Sequence, residues 1–192
     1  SFERTPRRRD FSLSPPGKTI LDLLAEASFD TISVGKIFDI FAGRSISEEF
    51  HTTDNLDGME KTSALLQKDF TGLCFVNLVD FDMKYGHRND VEGYAAAMTR
   101  FDRWLGGFLP QLKEEDALFI TADHGCDPST PSTDHSREYT PFLAAGASLR
   151  SGVNLGTRST FADIGKTILD AFSVKNSAFG TSFWDTIRAD RT

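Results

Sequence analysis

Cysteine is scarce in this chain: Cys74 and Cys126 are the only two among 192 residues. So few thiols exclude a disulfide framework and fit a reducing compartment, the cytoplasm. Positive charge is also in deficit, with 21 Lys and Arg against 28 Asp and Glu and a net charge of −7, which argues against a nucleic-acid partner. No apolar run approaches the roughly 20 residues needed to cross a bilayer, so no membrane partner is expected. There is no internal repeat, no low-complexity segment and no signal-peptide pattern. The first residue is Ser1 rather than Met, which is compatible with a removed leader. What remains, 39% hydrophobic and 26% charged residues, describes a soluble globular protein large enough for one real core.

Residues 1–17 stand apart. They hold Arg4, Arg7, Arg8 and Arg9 and close on Pro15-Pro16-Gly17. Two readings fit: a solvated tail or linker, or a segment whose guanidinium groups face phosphate oxygens bidentately. From Lys18 the pattern is regular. Ile20, Leu21, Leu23 and Leu24 recur at helical spacing, so a helix is expected over about 18–27. Thr31–Val34 reads as a short strand ended by Gly35-Lys36, where Lys36 is either an ordinary surface lysine or an ammonium presented to an anion. Residues 37–54 read as irregular or short elements, and His51 is given no role. Asp54 or Asn55 is expected to cap a helix over about 56–69.

Gly72–Val79 is the most strand-like run, and its near-continuous apolarity predicts burial on both faces, as in a parallel sheet covered by helices. Asp90 is expected to cap a long helix over about 91–112, with Tyr94, Phe101, Trp104 and Phe108 as core. Strands are expected at 117–122 and 141–146, and a helix at Phe161–Phe172. The alternation, with crossovers long enough for parallel pairing, predicts an α/β fold: a mostly parallel sheet sandwiched by helices.

The chemistry gathers at the ends of the apolar runs, where open α/β sheets bind ligands. Asp80-Phe81-Asp82 and Tyr85-Gly86-His87 follow one run; Asp123-His124-Gly125 and, after a turn-rich loop, Asp134-His135 follow another. Three of the four histidines thus fall beside carboxylates. Imidazole with carboxylate suits Mn²⁺, Zn²⁺ or Fe²⁺ better than Mg²⁺ or Ca²⁺. Five good ligands exceed one tetrahedral ion, which points to paired metals of the kind that clamp a transferring phosphoryl group. A serine hydrolase is disfavoured because no G-x-S-x-G elbow is present, and a glycoside hydrolase would not call for three histidines.

The blocks Asn77–Asp82, Tyr85-Gly86-His87-Arg88 and Asp90-x-x-Gly93-Tyr94 resemble the metal-binding segment of phosphopentomutases, within the alkaline phosphatase superfamily. Thr121–Pro128 and Thr133-Asp134-His135-x-Arg137-Glu138-Tyr139 resemble the second such segment. The likeness continues through Gly35-Lys36-Ile37, Asn55–Met59, Phe161–Gly165 and Gly180–Phe183, and so spans nearly the whole chain. It implies an isomerase of pentose phosphate metabolism that interconverts ribose 1-phosphate and ribose 5-phosphate, and the deoxyribose pair, with two Mn²⁺ or other divalent ions, a phosphothreonine and a sugar bisphosphate activator. By the same resemblance Asp82, His87 and His135 would hold one metal and Asp123 and His124 the other, with Arg4 and Lys36 near the sugar phosphate.

The family's nucleophilic threonine, one further metal-ligating aspartate and most of a cap domain have no counterpart here. The expectation is therefore a C-terminal portion of such an enzyme, inactive alone, with residues 1–17 as the end of the cap or a linker and 18–192 as part of the metal-binding core. The missing N-terminal part would be its partner beside the pentose phosphates. The alternatives are a non-catalytic metal- or partner-binding fragment, and another metallophosphatase or phosphoglycerate mutase of the superfamily.

Overall fold

The computed structural model describes residues 12–190. It forms two compact units, one running to Asn77 and resuming at Asn154–Thr186, the other comprising Leu78–Val153 and the residues after Thr186.

The first unit begins with α1 (Ile20–Glu26), whose start is fixed by Thr19: its hydroxyl accepts from the Asp22 amide while the Asp22 carboxylate accepts from the Thr19 amide, a reciprocal capping box. The chain then enters β1 (Asp30–Val34), turns through α2 (Ile37–Ile40) into β2 (Glu48–Phe50), and crosses α3 (Asn55–Leu65) to β3 (Gly72–Val76). Asp54 caps α3 through the Asp57 amide, one of the two residues the sequence offers for that role. The three strands form a parallel sheet in the order β2-β1-β3, with Ile32 paired to both Glu48 and Cys74. β2 is the strand that patterning misses, because three residues, two of them glutamates, carry no periodic signal. Helices α1, α2 and α3 pack on β1, and α5 (Ala162–Ala171) packs on α1.

The core of this unit is Ile32, Val34 and Leu65, with Phe50, Phe70, Cys74 and Val76 around it. Full burial of each such aliphatic side chain is worth about 1.5–3 kcal/mol. Gly35, at φ +84°, turns the chain out of β1 where any Cβ would strike the Asn77 carbonyl; only glycine takes that conformation without cost. β3 departs from expectation. It ends at Val76, and its residues are half-buried rather than enclosed, with Phe75 36% exposed. Its one pairing partner among the described residues is β1.

The second unit carries a wide π-helical turn (Phe81–Tyr85), a 3₁₀ turn (Gly86–Arg88), α4 (Val91–Phe108) ending in a 3₁₀ turn (Leu109–Gln111), β4 (Leu118–Thr121) and β5 (Phe142–Ala145). Asp90 caps α4 by accepting from the Gly93 amide at 2.8 Å. The aromatic stripe is core in part: Phe108 is buried, whereas Tyr94, Phe101 and Trp104 are half-buried. β4 and β5 pair antiparallel, Leu118 opposite Ala145 and Thr121 opposite Phe142. Pairing in this second sheet is antiparallel, unlike that in the first. No crossover helix stands between β4 and β5; the intervening loop folds back on itself at a Gly125–Ser136 bridge and returns the chain in the opposite sense. The short helix α6 (Trp184–Ile187) leads into the final residues, where the Arg150 amide donates to the Ile187 carbonyl at 2.7 Å. The whole remains an α/β fold with a parallel sheet and helices packed on it. No described helix is long and apolar enough to cross a membrane.

Candidate metal centre

Asp82, His87, Asp123, His124 and His135 all belong to the second unit, and local structure explains how residues more than 50 positions apart meet. Asp82 sits in the π-helical turn. Phe81 anchors that turn by packing its ring on Tyr94 and Phe101 of α4, with centroids 5.5 and 6.4 Å away. Wide turns of this type recur at functional sites. His87 follows in the 3₁₀ turn. The preceding Gly86 has no room for a side chain, since a Cβ there would meet the Cys126 thiol. Asp123 and His124 leave the end of β4, whose Thr121 hydroxyl donates to the Pro141 carbonyl at 2.9 Å.

Gly125 closes the loop. The Ser136 amide donates to its carbonyl at 3.1 Å, and a Cβ on Gly125 would collide with the Ser136 carbonyl and the Glu138 amide. This closure stacks His135 on His124, rings 3.7 Å apart and 22° from parallel. The Asp127 carboxylate organises the loop tip by accepting from the Ser129 amide and hydroxyl at 2.9 and 2.6 Å, and those bonds lower its pKa.

Asp82 Oδ1 is the centre of the arrangement. Nε2 of His135 lies 3.2 Å away, Nε2 of His87 3.3 Å and Nε2 of His124 3.8 Å. Yet Oδ1 is buried and has no hydrogen-bond partner. The reason lies on the far sides of two rings. His87 Nδ1 is 2.5 Å from the Thr133 carbonyl and His124 Nδ1 is 3.0 Å from the Gly125 carbonyl. A carbonyl only accepts, so each Nδ1 carries a proton, and in the neutral ring Nε2 then offers a lone pair. Lone pairs gathered round a carboxylate oxygen repel one another unless a cation lies between them, and a backbone-fixed tautomer is a common mark of metal-binding histidine. With bonds of about 2.0–2.2 Å, neighbouring ligand atoms of one ion stand roughly 3.0–3.5 Å apart, which matches the spacings to His87 and His135. Ligand atoms of Asp82, His124 and His135 all lie within 4.8 Å of one another, and they form a group able to hold a metal ion. Asp123 is more open, its carboxylate 78% exposed and 3.7 Å from His124 Nε2.

The surroundings are electronegative. Burial, then the charges of Asp82, Glu138 and Asp127, pushes the Cys126 thiol up; burial, then Cys126 and Asp82, does the same to the Tyr94 phenol. Negative potential of this kind suits a cation.

Of the two residues expected near the sugar phosphate, Arg4 lies outside the described residues. Lys36 stands in the first unit at the N-cap of α2, directly after Gly35. Sequence reading passed over Asn89, whose amide nitrogen donates to the Thr130 carbonyl at 2.6 Å. No pattern marks a side chain whose partner is a backbone carbonyl 41 residues away.

A model of the metalloenzyme superfamily matches residues 24–176. The chain belongs to that superfamily. Among curated relatives, it is similar to the phosphopentomutase of Lachnoclostridium phytofermentans, 57% identical over 182 residues that make up 95% of this chain and 47% of that protein. The phosphopentomutase of Carboxydothermus hydrogenoformans is 55% identical over 98% of this chain and 48% of its own length, and that of Thermotoga maritima 55% identical over 95% and 47%. The chain spans about half the length of the curated relatives it matches. Among solved structures, a Leishmania mexicana phosphoglycerate mutase crystallised at low cobalt concentration superposes with a TM-score of 0.64 at 14% identity, over 84% of this chain and 38% of that one. The PH0037 protein of Pyrococcus horikoshii gives 0.58 at 21% identity, over 82% and 53%. These two share the fold of this superfamily member.

Proposed function

We propose that this metalloenzyme chain is the metal-binding part of a phosphopentomutase, an isomerase that interconverts (deoxy)ribose 1-phosphate and (deoxy)ribose 5-phosphate by phosphoryl transfer. The observation that carries the reading is the buried, unpartnered Asp82 Oδ1 ringed by three imidazole nitrogens. The identity of 52–57% to phosphopentomutases along nearly the whole chain supports the substrate class.

In this reading Asp82, His87 and His135 would hold one Mn²⁺, and Asp123 and His124 the other. Divalent ions bound there would neutralise charge on the transferring phosphoryl oxygens, the larger part of catalysis in reactions of this kind. The protein's share is positional. His87 and His124 each set Nδ1 against a backbone carbonyl, which leaves Nε2 facing Asp82. Lys36 and Arg4 are assigned to the sugar phosphate on the family resemblance. The phosphothreonine nucleophile is assigned to a part of the enzyme outside these 192 residues, and that part, with a sugar bisphosphate activator, completes the reaction. The cytoplasm is the proposed setting, consistent with Cys74 and Cys126 standing unpaired.

The test has two arms. Calorimetry on the 192-residue chain is expected to show Mn²⁺ binding that His135→Ala removes; no binding of Mn²⁺ or another divalent ion would count against the reading. The same chain, purified with the host enzyme excluded, is expected not to isomerise ribose 1-phosphate unaided. Sustained turnover would place the nucleophile inside it. A panel of phosphate esters separates this assignment from a metallophosphatase of the same superfamily.

A further inference from the structure

We propose that Asn89 is a positioning residue, a clamp that holds the His87 turn against the 127–134 loop and so fixes the imidazole Nε2 of His87 on Asp82. The proposal builds on the metal-site reading above.

Two hydrogen bonds join the two segments side by side. His87 Nδ1 reaches the Thr133 carbonyl at 2.5 Å, and Asn89 Nδ2 donates to the Thr130 carbonyl at 2.6 Å. Donors two residues apart on one strand of backbone thus meet acceptors three residues apart on the other. The Thr130 end is anchored independently, since both its amide and its hydroxyl donate to the Asp127 carbonyl, at 3.2 and 3.0 Å. Asn89 itself closes the 3₁₀ turn in the left-handed region, φ 51° and ψ 32°, with its amide bonded to Gly86. Asparagine tolerates that conformation better than most residues.

The side-chain orientation is forced. The Thr130 carbonyl can only accept, so the amide nitrogen must face it, and Oδ1 is turned into a buried position where it has no partner. An orphaned buried acceptor costs about 1–3 kcal/mol, against roughly 0.5–1.5 kcal/mol returned by one neutral hydrogen bond. Stability alone does not favour such a side chain. Local cost of this sort is retained where geometry is what matters, and the geometry at stake is the approach of the His87 turn to the loop that carries His135.

Two variants separate the side chain from the backbone. Asn89→Gly keeps the positive φ and removes the clamp. Asn89→Asp keeps the size and sets an oxygen against the Thr130 carbonyl. Long-range ¹H–¹⁵N spectra of the metal-free 192-residue chain are expected to show His87 as a single Nδ1–H tautomer in the wild type and as a mixture in both variants. His124, bonded to the Gly125 carbonyl next to it, is expected to keep its tautomer in all three and reports that the fold persists. Mn²⁺ affinity should fall about tenfold, the size expected for an outer partner of a ligand.

A His87 tautomer unchanged in Asn89→Gly, with wild-type Mn²⁺ affinity, overturns the clamp and leaves the metal reading standing. A mixed His87 tautomer in both variants, with a wild type that binds no divalent ion, supports the clamp and overturns the metal reading instead.

Discussion

His87 Nδ1 and the Thr133 carbonyl oxygen lie 2.5 Å apart, and this one contact decides which ring nitrogen faces Asp82. In its neutral form His87 thereby presents a lone pair, not a donor, to the carboxylate oxygen at the middle of the histidines, an arrangement suited to a cation.

The first prediction follows from that arrangement. Asp82→Asn should abolish Mn²⁺ binding while leaving the metal-free protein as stable as before, or slightly more so, because an amide nitrogen can donate to an imidazole lone pair where the carboxylate cannot. At a metal concentration about a hundredfold above Kd, the wild type gains about 2.7 kcal/mol, a rise of roughly 5–10 °C in Tm for a chain of this size. Thermal melts with and without chelator measure it. A rise of the same size in the variant would remove Asp82 from the site.

Gly125→Ala tests the closure that brings His135 to His124. The added methyl meets the Ser136 carbonyl and the Glu138 amide, neither of which can swing aside as a flexible side chain would. Overpacking of this kind costs about 1–3 kcal/mol. Part of that cost should appear as displacement of the loop, so Mn²⁺ affinity is expected to fall more than melting temperature. Wild-type affinity in this variant would show that the closure is not needed.

Much of this site was legible before any coordinates. Imidazoles and carboxylates at the ends of apolar runs are visible in sequence because burial and turn chemistry both leave local marks, and Asp82, His87, His124 and His135 do converge. The caps at Thr19, Asp54 and Asp90 likewise depend on residues only three positions apart. What stayed hidden is non-local. The antiparallel return of β5 depends on a Gly125–Ser136 bridge, β2 depends on pairing rather than on its own composition, and Asn89 depends on the carbonyl of Thr130. Apolarity in β3 was read as burial on both faces, but it records only a capacity for burial.

Asp22 gives a pH prediction in the first unit. Burial works to raise its pKa, but hydrogen bonds from the Ser45 hydroxyl, the Thr19 amide and hydroxyl, and Arg44 outweigh it and hold the carboxyl at about 2. The folded pKa lies below the unfolded value of about 3.9. Its stabilisation is therefore complete above pH of about 4 and is lost as pH falls toward 2. Asp22→Asn should cost about 2 kcal/mol at neutral pH and little at pH 2. Denaturant melts of both proteins across that range check it; parallel curves at every pH would refute the assignment.

The last prediction concerns Asp163, only 3% exposed, and Arg158. Arg158 Nε and an η nitrogen both lie 2.8 Å from Asp163 Oδ2, and the same guanidinium donates to the Thr181 carbonyl at 3.0 Å. The Thr181 amide takes the other carboxylate oxygen at 2.7 Å. Nearby, Thr167 Oγ1 donates to the Asp163 carbonyl at 2.7 Å and accepts from the Phe183 amide at 3.0 Å. Together these bonds fasten the 181–183 segment to α5. Removing one partner of a buried pair costs about 3–5 kcal/mol because the other charge is stranded. Arg158 keeps a third of its side chain in water, so Arg158→Ala is expected to cost less, about 2–3 kcal/mol. Asp163→Asn added to Arg158→Ala should recover part of that loss, since no unpaired charge remains. A double variant whose loss equals the two single losses combined would mean that the aspartate is held by Thr181 and α5 alone, with the arginine contributing only its packing on Phe183, 5.5 Å from the ring centre.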